Sequence, residues 1–331
     1  MKAILNKLFR HQSLGKEEAK EVLSNLARGQ YNQSQMAAFL TVYLMRSITV
    51  EELEGFRDAM LDLCVRVPLD EYETIDLCGT GGDGKDTFNI STLSSFVAAG
   101  AGLHVTKHGN YGVSSKCGSS NLLEYFGCQF GNDQGVIRKS IEEAGICFLH
   151  APMFHPAMKN VGPVRKELGV KTFFNMLGPM VNPAFPKHQL VGVFSLELAR
   201  LYGYLYQKGD TNFMVVHALD GFDEISLTGE FKSIRKDAER VLGPEQIGLP
   251  KVRLDQLASG DSIKDSADIF LSVLKNESTV AQRNVVLANA GLAISVAKGV
   301  TEHEGIDQAD QSLKSGKALQ SFEKFIAINQ K

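Results

Sequence analysis

At 331 residues, 44% of them apolar and 22% charged, the chain reads as a soluble globular protein with one large domain or two unequal ones. Its net charge of −3 leaves no electrostatic footprint for duplex DNA or an anionic membrane, and no apolar run approaches the ~20 residues of a membrane span. Five cysteines (Cys64, Cys78, Cys117, Cys128, Cys147) with no C-x-x-C pair fit a reducing cytoplasm and argue against a structural zinc site. Asn6, Lys7 and Arg10 interrupt any signal-like start, which predicts a cytoplasmic location.

Residues 1 to about 66 predict helices only, with apolar positions at helical spacing in Ile4–Phe9, Ala19–Leu26, Met36–Met45 and Leu53–Leu63. Ser13 and Thr49 are candidate N-caps, served by Glu17 and Glu52. From Glu73 the pattern becomes strands (Thr74–Cys78, His104–Lys107, Ile146–His150, Leu190–Phe194, Phe213–Leu219) alternating with helices (about 91–102, 119–126, 133–144 and 195–207). The alternation lapses over 155–187, where Val164–Leu168 and Thr172–Leu177 look helical, and Val280–Val296 predicts a long alanine-rich helix. The fold class expected is α/β: a small all-helical domain over 1–70, joined by about 163–187, and a larger domain over 71–331 with a mainly parallel central sheet flanked by helices.

The most informative stretch is Gly79-Thr80-Gly81-Gly82-Asp83-Gly84-Lys85-Asp86, between a strand and the helix that starts near Ser91. Glycines let backbone N–H groups approach an anion closely, and a helix start adds unpaired donors. Two familiar templates nearly fit. Gly79, Gly81 and Gly84 satisfy the dinucleotide pattern G-x-G-x-x-G, but that fold needs an acid about 20 positions further on. No Asp or Glu occurs from Thr87 to Leu123, and Lys107-His108-Gly109-Asn110 stands there instead. The triphosphate loop G-x-x-x-x-G-K-[ST] fails at Asp86, which replaces the metal-binding hydroxyl.

Lys107 to Ser119 repeats the physics of the first loop, with glycines for access, hydroxyls and Asn110 for neutral hydrogen bonds, and Lys107 for charge. Asp223-Glu224 follows an apolar run, at a loop where packing is not expected to need it, and two such carboxylates can hold Mg²⁺ with a polyphosphate. Arg165 can fork a carboxylate, and Ala151-Pro152-Met153-Phe154-His155-Pro156 before it offers a wall for a planar ring.

With Asn89-Ile90-Ser91-Thr92, Ser114-Ser115, His155–Lys159, Val164-Arg165, Phe174-Asn175-x-Leu177-Gly178-Pro179 and Asn182-Pro183, these runs make the chain similar to the anthranilate phosphoribosyltransferases. They are the tryptophan-pathway branch of the family shared with pyrimidine nucleoside phosphorylases, whose second loop carries Lys-His-Ser instead. The resemblance covers about 75–230 and implies that Gly79, Gly82, Asp83, Thr87, Asn89, Ile90, Ser91, Thr92, Lys107 and Ser119 hold phosphoribosyl pyrophosphate (PRPP). It implies that Ser91, Asp223 and Glu224 bind Mg²⁺, and that Gly79, His108, Asn110, Pro152, His155 and Arg165 line the anthranilate site. It further implies a homodimer through the N-terminal helices, where Phe39, Leu40, Val42, Tyr43 and Leu44 exceed what one thin layer buries, and no nucleic-acid or membrane partner.

Tyr111 and Lys171 stand where Arg is commoner in that family, and Cys117 where Ser is usual. No nucleophile–base pair is evident, and His108 is a candidate proton acceptor. A pyrimidine nucleoside phosphorylase, or a non-enzymatic nucleic-acid-binding relative of the same fold, are the alternative readings.

Overall fold

The computed structural model describes residues 1–112 and 116–330 and falls into two compact units. One comprises Met1–Arg66 and Ala151–Pro183, the other Val67–His150 and Ala184–Lys331, against the 1–70, about 163–187 and 71–331 expected from the sequence.

The first unit is helical. It begins with α1 (Lys2–Leu8), α2 (Lys16–Ala27), α3 (Gln33–Met45) and α4 (Val50–Asp62). Thr49 caps α4 in a reciprocal box with Glu52. Ser13 is not the cap of α2: that position is Gly15, because the Leu14 N–H is drawn out to Glu52 Oε1 at 2.9 Å and keeps the chain extended. Glu52 is fully buried and satisfied by Arg46 (2.5 Å), Tyr43 (3.1 Å) and the Leu14 and Thr49 amides, so its charge does not stand alone. Around it Phe39, Tyr43, Phe56 and Phe173 meet edge to face, with Phe56 and Phe173 stacked at 4.5 Å. Of the apolar run assigned to a partner chain, Phe39, Leu40 and Tyr43 are thus spent inside the unit, while Phe9, Leu44 and Met45 remain exposed.

The second unit alternates as the sequence predicts: β1 (Thr74–Gly79), α5 (Ile90–Gly100), β2 (His104–Gly109), α6 (Ser119–Tyr125), α7 (Gln134–Ala144) and β3 (Ile146–His150). The chain then supplies α8 (Ala151–Phe154), α9 (Gly162–Leu168) and α10 (Phe174–Leu177) to the helical unit. It returns for β4 (His188–Gly192), α11 (Leu196–Gln207), β5 (Asn212–Ala218), β6 (Phe231–Ile234), β7 (Glu239–Leu242), α12 (Ile263–Leu274), α13 (Val280–Lys298), α14 (Glu302–Lys314) and α15 (Lys317–Asn329). The seven strands lie in the order β3-β2-β1-β4-β5-β6-β7, parallel through β5 and antiparallel beyond it.

The β6–β7 hairpin has no counterpart among the predicted strands. It is short, and the exposed Glu239 and Arg240 mask its period. α13 bears out the long alanine-rich helix expected over Val280–Val296; its length and composition would suffice to cross a membrane, but 78% of its most apolar window is buried, and it packs on α5, α14 and the sheet.

Strand order reverses at β1, whose neighbours β2 and β4 lie on opposite sides. In such sheets ligands collect beyond the carboxyl ends of the strands at this switch point. Gly79 and Gly192, the last residues of β1 and β4, are paired there.

Candidate functional site

Gly81, Gly82 and Gly84 have φ of +69°, +84° and +73°, a conformation that a side chain would strain, so the first loop depends on glycine here. Gly79 and Gly192 are needed for a different reason. A Cβ on Gly79 would lie 2.2 Å from Asp223 Oδ2, and one on Gly192 1.6 Å from the Asp223 carbonyl oxygen. The segment carrying Asp223 and Glu224 is therefore seated directly on the ends of β1 and β4. Gly192 went unnoticed in the sequence, where a lone glycine at a strand end carries no distinguishing signal.

The acids do more than the sequence suggested. Asp223 Oδ2 accepts the Gly81 N–H at 2.6 Å, and Glu224 Oε1 accepts the Ser91 N–H at 2.9 Å. The pair pins the loop and the start of α5, so the expectation that packing is indifferent to it is wrong. Burial, then the carboxylate of Asp83, pushes Asp223 up to about 7. Glu224 is raised well above the usual range by burial, then by Asp223 and Asp83.

Lys107 is the counter-charge. It is buried, and its Nζ donates to the Leu77 carbonyl at 2.7 Å and to Ser91 Oγ at 3.4 Å. Burial lowers its pKa, opposed by Asp76, Cys78 and Glu224. The residue expected to supply the charge of the second loop thus stands buried beneath the first, beside Ser91. His108 is buried beside it, its backbone N–H on Asp76 Oδ1 at 3.3 Å.

Asn89 donates from Nδ2 to the Cys117 carbonyl at 3.0 Å, so the backbone at Cys117 matters more than its thiol. Asn89 Oδ1 and Thr80 Oγ1 are buried polar atoms with no hydrogen-bond partner among the described residues, both in the first loop region, and each is ready to meet a ligand. Thr80 had not been singled out from the sequence. Ile90 and Thr92 both have buried side chains, Ile90 in the hydrophobic core, which leaves their backbone for any ligand contact. Thr87 forms an antiparallel bridge with Ala258, and Phe88 N–H donates to the Leu257 carbonyl, fastening the loop to the segment before α12.

In the second loop Asn110 is exposed. Its Oδ1 accepts the Tyr111 N–H at 2.8 Å. Ser119 Oγ donates to the Asn110 carbonyl at 3.3 Å. Tyr111 reaches Glu124 through its hydroxyl at 2.6 Å and lays its ring edge-on to His150. Ser114 and Ser115 lie outside the described residues. Lys116 ties the loop back to Asp86, whose Oδ1 accepts its backbone N–H at 3.2 Å.

Pro152, His155 and Arg165 belong to the helical unit. Pro152 is exposed on α8. His155 is buried with Nε2 on the Val181 carbonyl at 2.9 Å, and burial lowers its pKa to about 4, so the ring is neutral near pH 7. Arg165 on α9 lies 5.1 Å over the Phe174 ring and donates to Asn175 Oδ1 at 3.3 Å. Asn175 Oδ1 also accepts the Thr172 N–H at 3.1 Å, so it braces the arginine to the turn before α10. Among the described residues no carboxylate pairs with Arg165, which leaves a half-buried guanidinium for an incoming anion. Lys171 is exposed nearby in sequence.

The donor chemistry fits Mg²⁺. Asp223, Glu224, Ser91 and Asp83 supply hard oxygens, and a bound cation would offset the burial and carboxylate repulsion that raise both acids. Among the described residues no three His, Cys, Asp or Glu side chains form a closed metal cage.

Comparison with known proteins brings the two units together under one description. Residues 2–64 match the glycosyl transferase family, helical bundle domain, and residues 71–319 match the glycosyl transferase family, a/b domain. An anthranilate phosphoribosyltransferase of Christiangramia forsetii is 60% identical over 330 residues, covering 100% of both chains. One from Flavobacterium johnsoniae is 60% identical over 98% of each. Among solved structures, the anthranilate phosphoribosyltransferase of Thermus thermophilus superposes with a TM-score of 0.92 at 34% identity over 98% of both chains. That of Saccharomyces cerevisiae, in complex with PRPP and Mg, gives 0.89 at 29% identity over 98% of this chain and 96% of that one.

Proposed function

The chain belongs to the glycosyl transferase family of the anthranilate phosphoribosyltransferases, and from this membership and the site we infer that it transfers the phosphoribosyl group of PRPP to the amine of anthranilate, releasing pyrophosphate. The observation that carries the reading is the carboxylate pair of buried Asp223 and half-buried Glu224, seated on two glycine strand ends and holding a loop built from left-handed glycines.

The proposed PRPP set is Gly79, Gly82, Asp83, Thr87, Asn89, Ser91, Lys107 and Ser119, with the backbone of Ile90 and Thr92. Mg²⁺, bound through Ser91, Asp223 and Glu224, would neutralise charge on the pyrophosphate. The first loop offers backbone N–H groups to the phosphates, and Lys107 places its charge behind them. As the bond from C1 to pyrophosphate breaks, the sugar becomes oxocarbenium-like and the anthranilate amine bonds to C1. That amine then loses a proton, for which buried His108 is a candidate acceptor. Arg165 would hold the anthranilate carboxylate; Pro152 and the neutral His155 are the other proposed anthranilate residues of the helical unit, and Gly79 and Asn110 those of the sheet unit. Positioning of this kind can supply roughly 7–11 kcal/mol of the barrier. Phosphorus NMR on the purified chain with PRPP, anthranilate and Mg²⁺ tests the reading. Pyrophosphate should appear in step with anthranilate consumed, and release of free base from a pyrimidine nucleoside and phosphate instead would refute it.

The pH dependence has a definite sign. A carboxyl held above its unfolded value binds a proton more tightly in the native state. Without metal, stability should therefore fall as pH rises from about 4, the unfolded value, to about 7, the folded one. Mg²⁺ displaces these protons, so with pyrophosphate present it should raise Tm more at about pH 8 than at about pH 5.5. Equal increments in scanning calorimetry at the two pH values would count against metal binding by this pair.

For assembly, the exposed Phe9, Leu44 and Met45 on the helical unit support a homodimer through the N-terminal helices. Sedimentation at micromolar concentration should give twice the mass of one chain, and a single-chain mass would rule this out. Small-molecule substrates, a cytoplasmic location and no nucleic-acid or membrane partner complete the proposal.

A further inference from the structure

We infer that Asn121 is a positioning residue for PRPP, the clamp that closes the neck of the second glycine loop; the inference rests on the reading of that loop as a PRPP site. β2 ends at Gly109 and α6 begins at Ser119, and the chain between them leaves and returns through Gly112 and Gly118. A single oxygen, Asn121 Oδ1, accepts the N–H of Gly112 and the N–H of Gly118, each at 3.0 Å. The two backbones approach so closely that a Cβ on Gly118 would lie 2.2 Å from the Gly112 nitrogen. Gly118 is thus required by the pinch, and the carbonyl oxygen of Asn121 uses its two lone pairs to hold it.

The neck fixes the groups assigned to substrate. Ser120 N–H donates to the Asn110 carbonyl at 3.2 Å and Ser119 Oγ to the same oxygen at 3.3 Å, so Asn110 and Ser119 are set by the closure that Asn121 makes. Gly109 packs under Ser119, where a Cβ would lie 2.4 Å from Ser119 Oγ. Gly112 is exposed and Gly118 half-buried, so water can take over both N–H groups when the clamp is lost. The fold then loses little, and the cost shifts to binding, where Asn110 and Ser119 must be set each time PRPP arrives.

The test compares Asn121→Ala with Asn121→Asp in the full-length, Mg²⁺-loaded enzyme. Alanine removes the acceptor. Aspartate keeps it, and its charge lies in the first turn of α6, where the helix dipole favours it. Asn121→Ala should raise KM for PRPP about tenfold, equivalent to ~1.4 kcal/mol, with KM for anthranilate little changed. Asn121→Asp should restore KM for PRPP to within about threefold of wild type, since the remaining difference is below ~1 kcal/mol. Calorimetric binding of pyrophosphate with Mg²⁺ gives an arm independent of turnover and should show the same order. Unchanged PRPP and pyrophosphate constants in Asn121→Ala, equal rises for both substrates, or an Asn121→Asp as impaired as alanine would each overturn the proposal. Absence of turnover in the wild type would refute the proposed function alone, and the pyrophosphate arm would still decide the role of Asn121.

Discussion

Asp223→Asn combined with Glu224→Gln is expected to lower kcat/KM by roughly 1,000-fold or more, while thermal stability in the absence of metal stays level or rises. The amides keep a carbonyl oxygen for the Gly81 N–H at 2.6 Å and the Ser91 N–H at 2.9 Å, so loop and helix start remain held. What disappears is charge. In the wild type, burial and the neighbouring Asp83 make these carboxylates costly to ionise. Removing that cost relieves the fold and takes away the groups that would bind metal and substrate phosphates, the usual conflict between stability and function at a site. Turnover and Mg²⁺ dependence measured beside a melting curve separate the two effects. Retained activity with unchanged Mg²⁺ dependence would remove the metal assignment, and a collapsed melting curve would show that the acids serve the fold first.

Arg165→Ala should raise KM for anthranilate about 10- to 150-fold, corresponding to a charge-assisted contact worth roughly 1.5–3 kcal/mol. KM for PRPP should move much less. The guanidinium is steadied by the Phe174 ring at 5.1 Å and by Asn175 at 3.3 Å, and no carboxylate among the described residues competes for it. Lys107→Ala should show the reverse pattern, since Lys107 lies under the first loop beside Ser91. Steady-state kinetics with each substrate varied in turn decide the matter. A surface arginine without a role would leave both constants unchanged, and equal losses for both substrates would indicate that α9 itself had shifted.

The parallel strands were legible because each is a short, mostly buried run with β-branched or aromatic positions, and β1, β2 and β4 end in glycine. The first loop was legible because Gly81, Gly82 and Gly84 each need a left-handed backbone, and few sequences group three such positions before a helix. The β6–β7 hairpin was not, because four-residue strands carrying Lys232, Glu239 and Arg240 offer no clear period. Ser13 misled because a hydroxyl near a helix start is only half of a cap. Leu14 had already been claimed by Glu52 from another helix, a long-range contact that no local pattern shows. The same limit hid Gly192, whose importance lies in the Asp223 carbonyl that rests on it. It also concealed that Lys107 is buried and that Ile90 faces the core.

The most direct test follows anthranilate fluorescence in a mixture of the purified chain, PRPP and Mg²⁺, with pyrophosphate quantified at the end. Fluorescence should decay at a rate proportional to enzyme, with one pyrophosphate formed per anthranilate lost, and should stay constant when PRPP is omitted or Mg²⁺ is chelated. Steady fluorescence in the complete mixture, from protein whose folded state is verified by its melting transition, would contradict the assignment of this site to phosphoribosyl transfer.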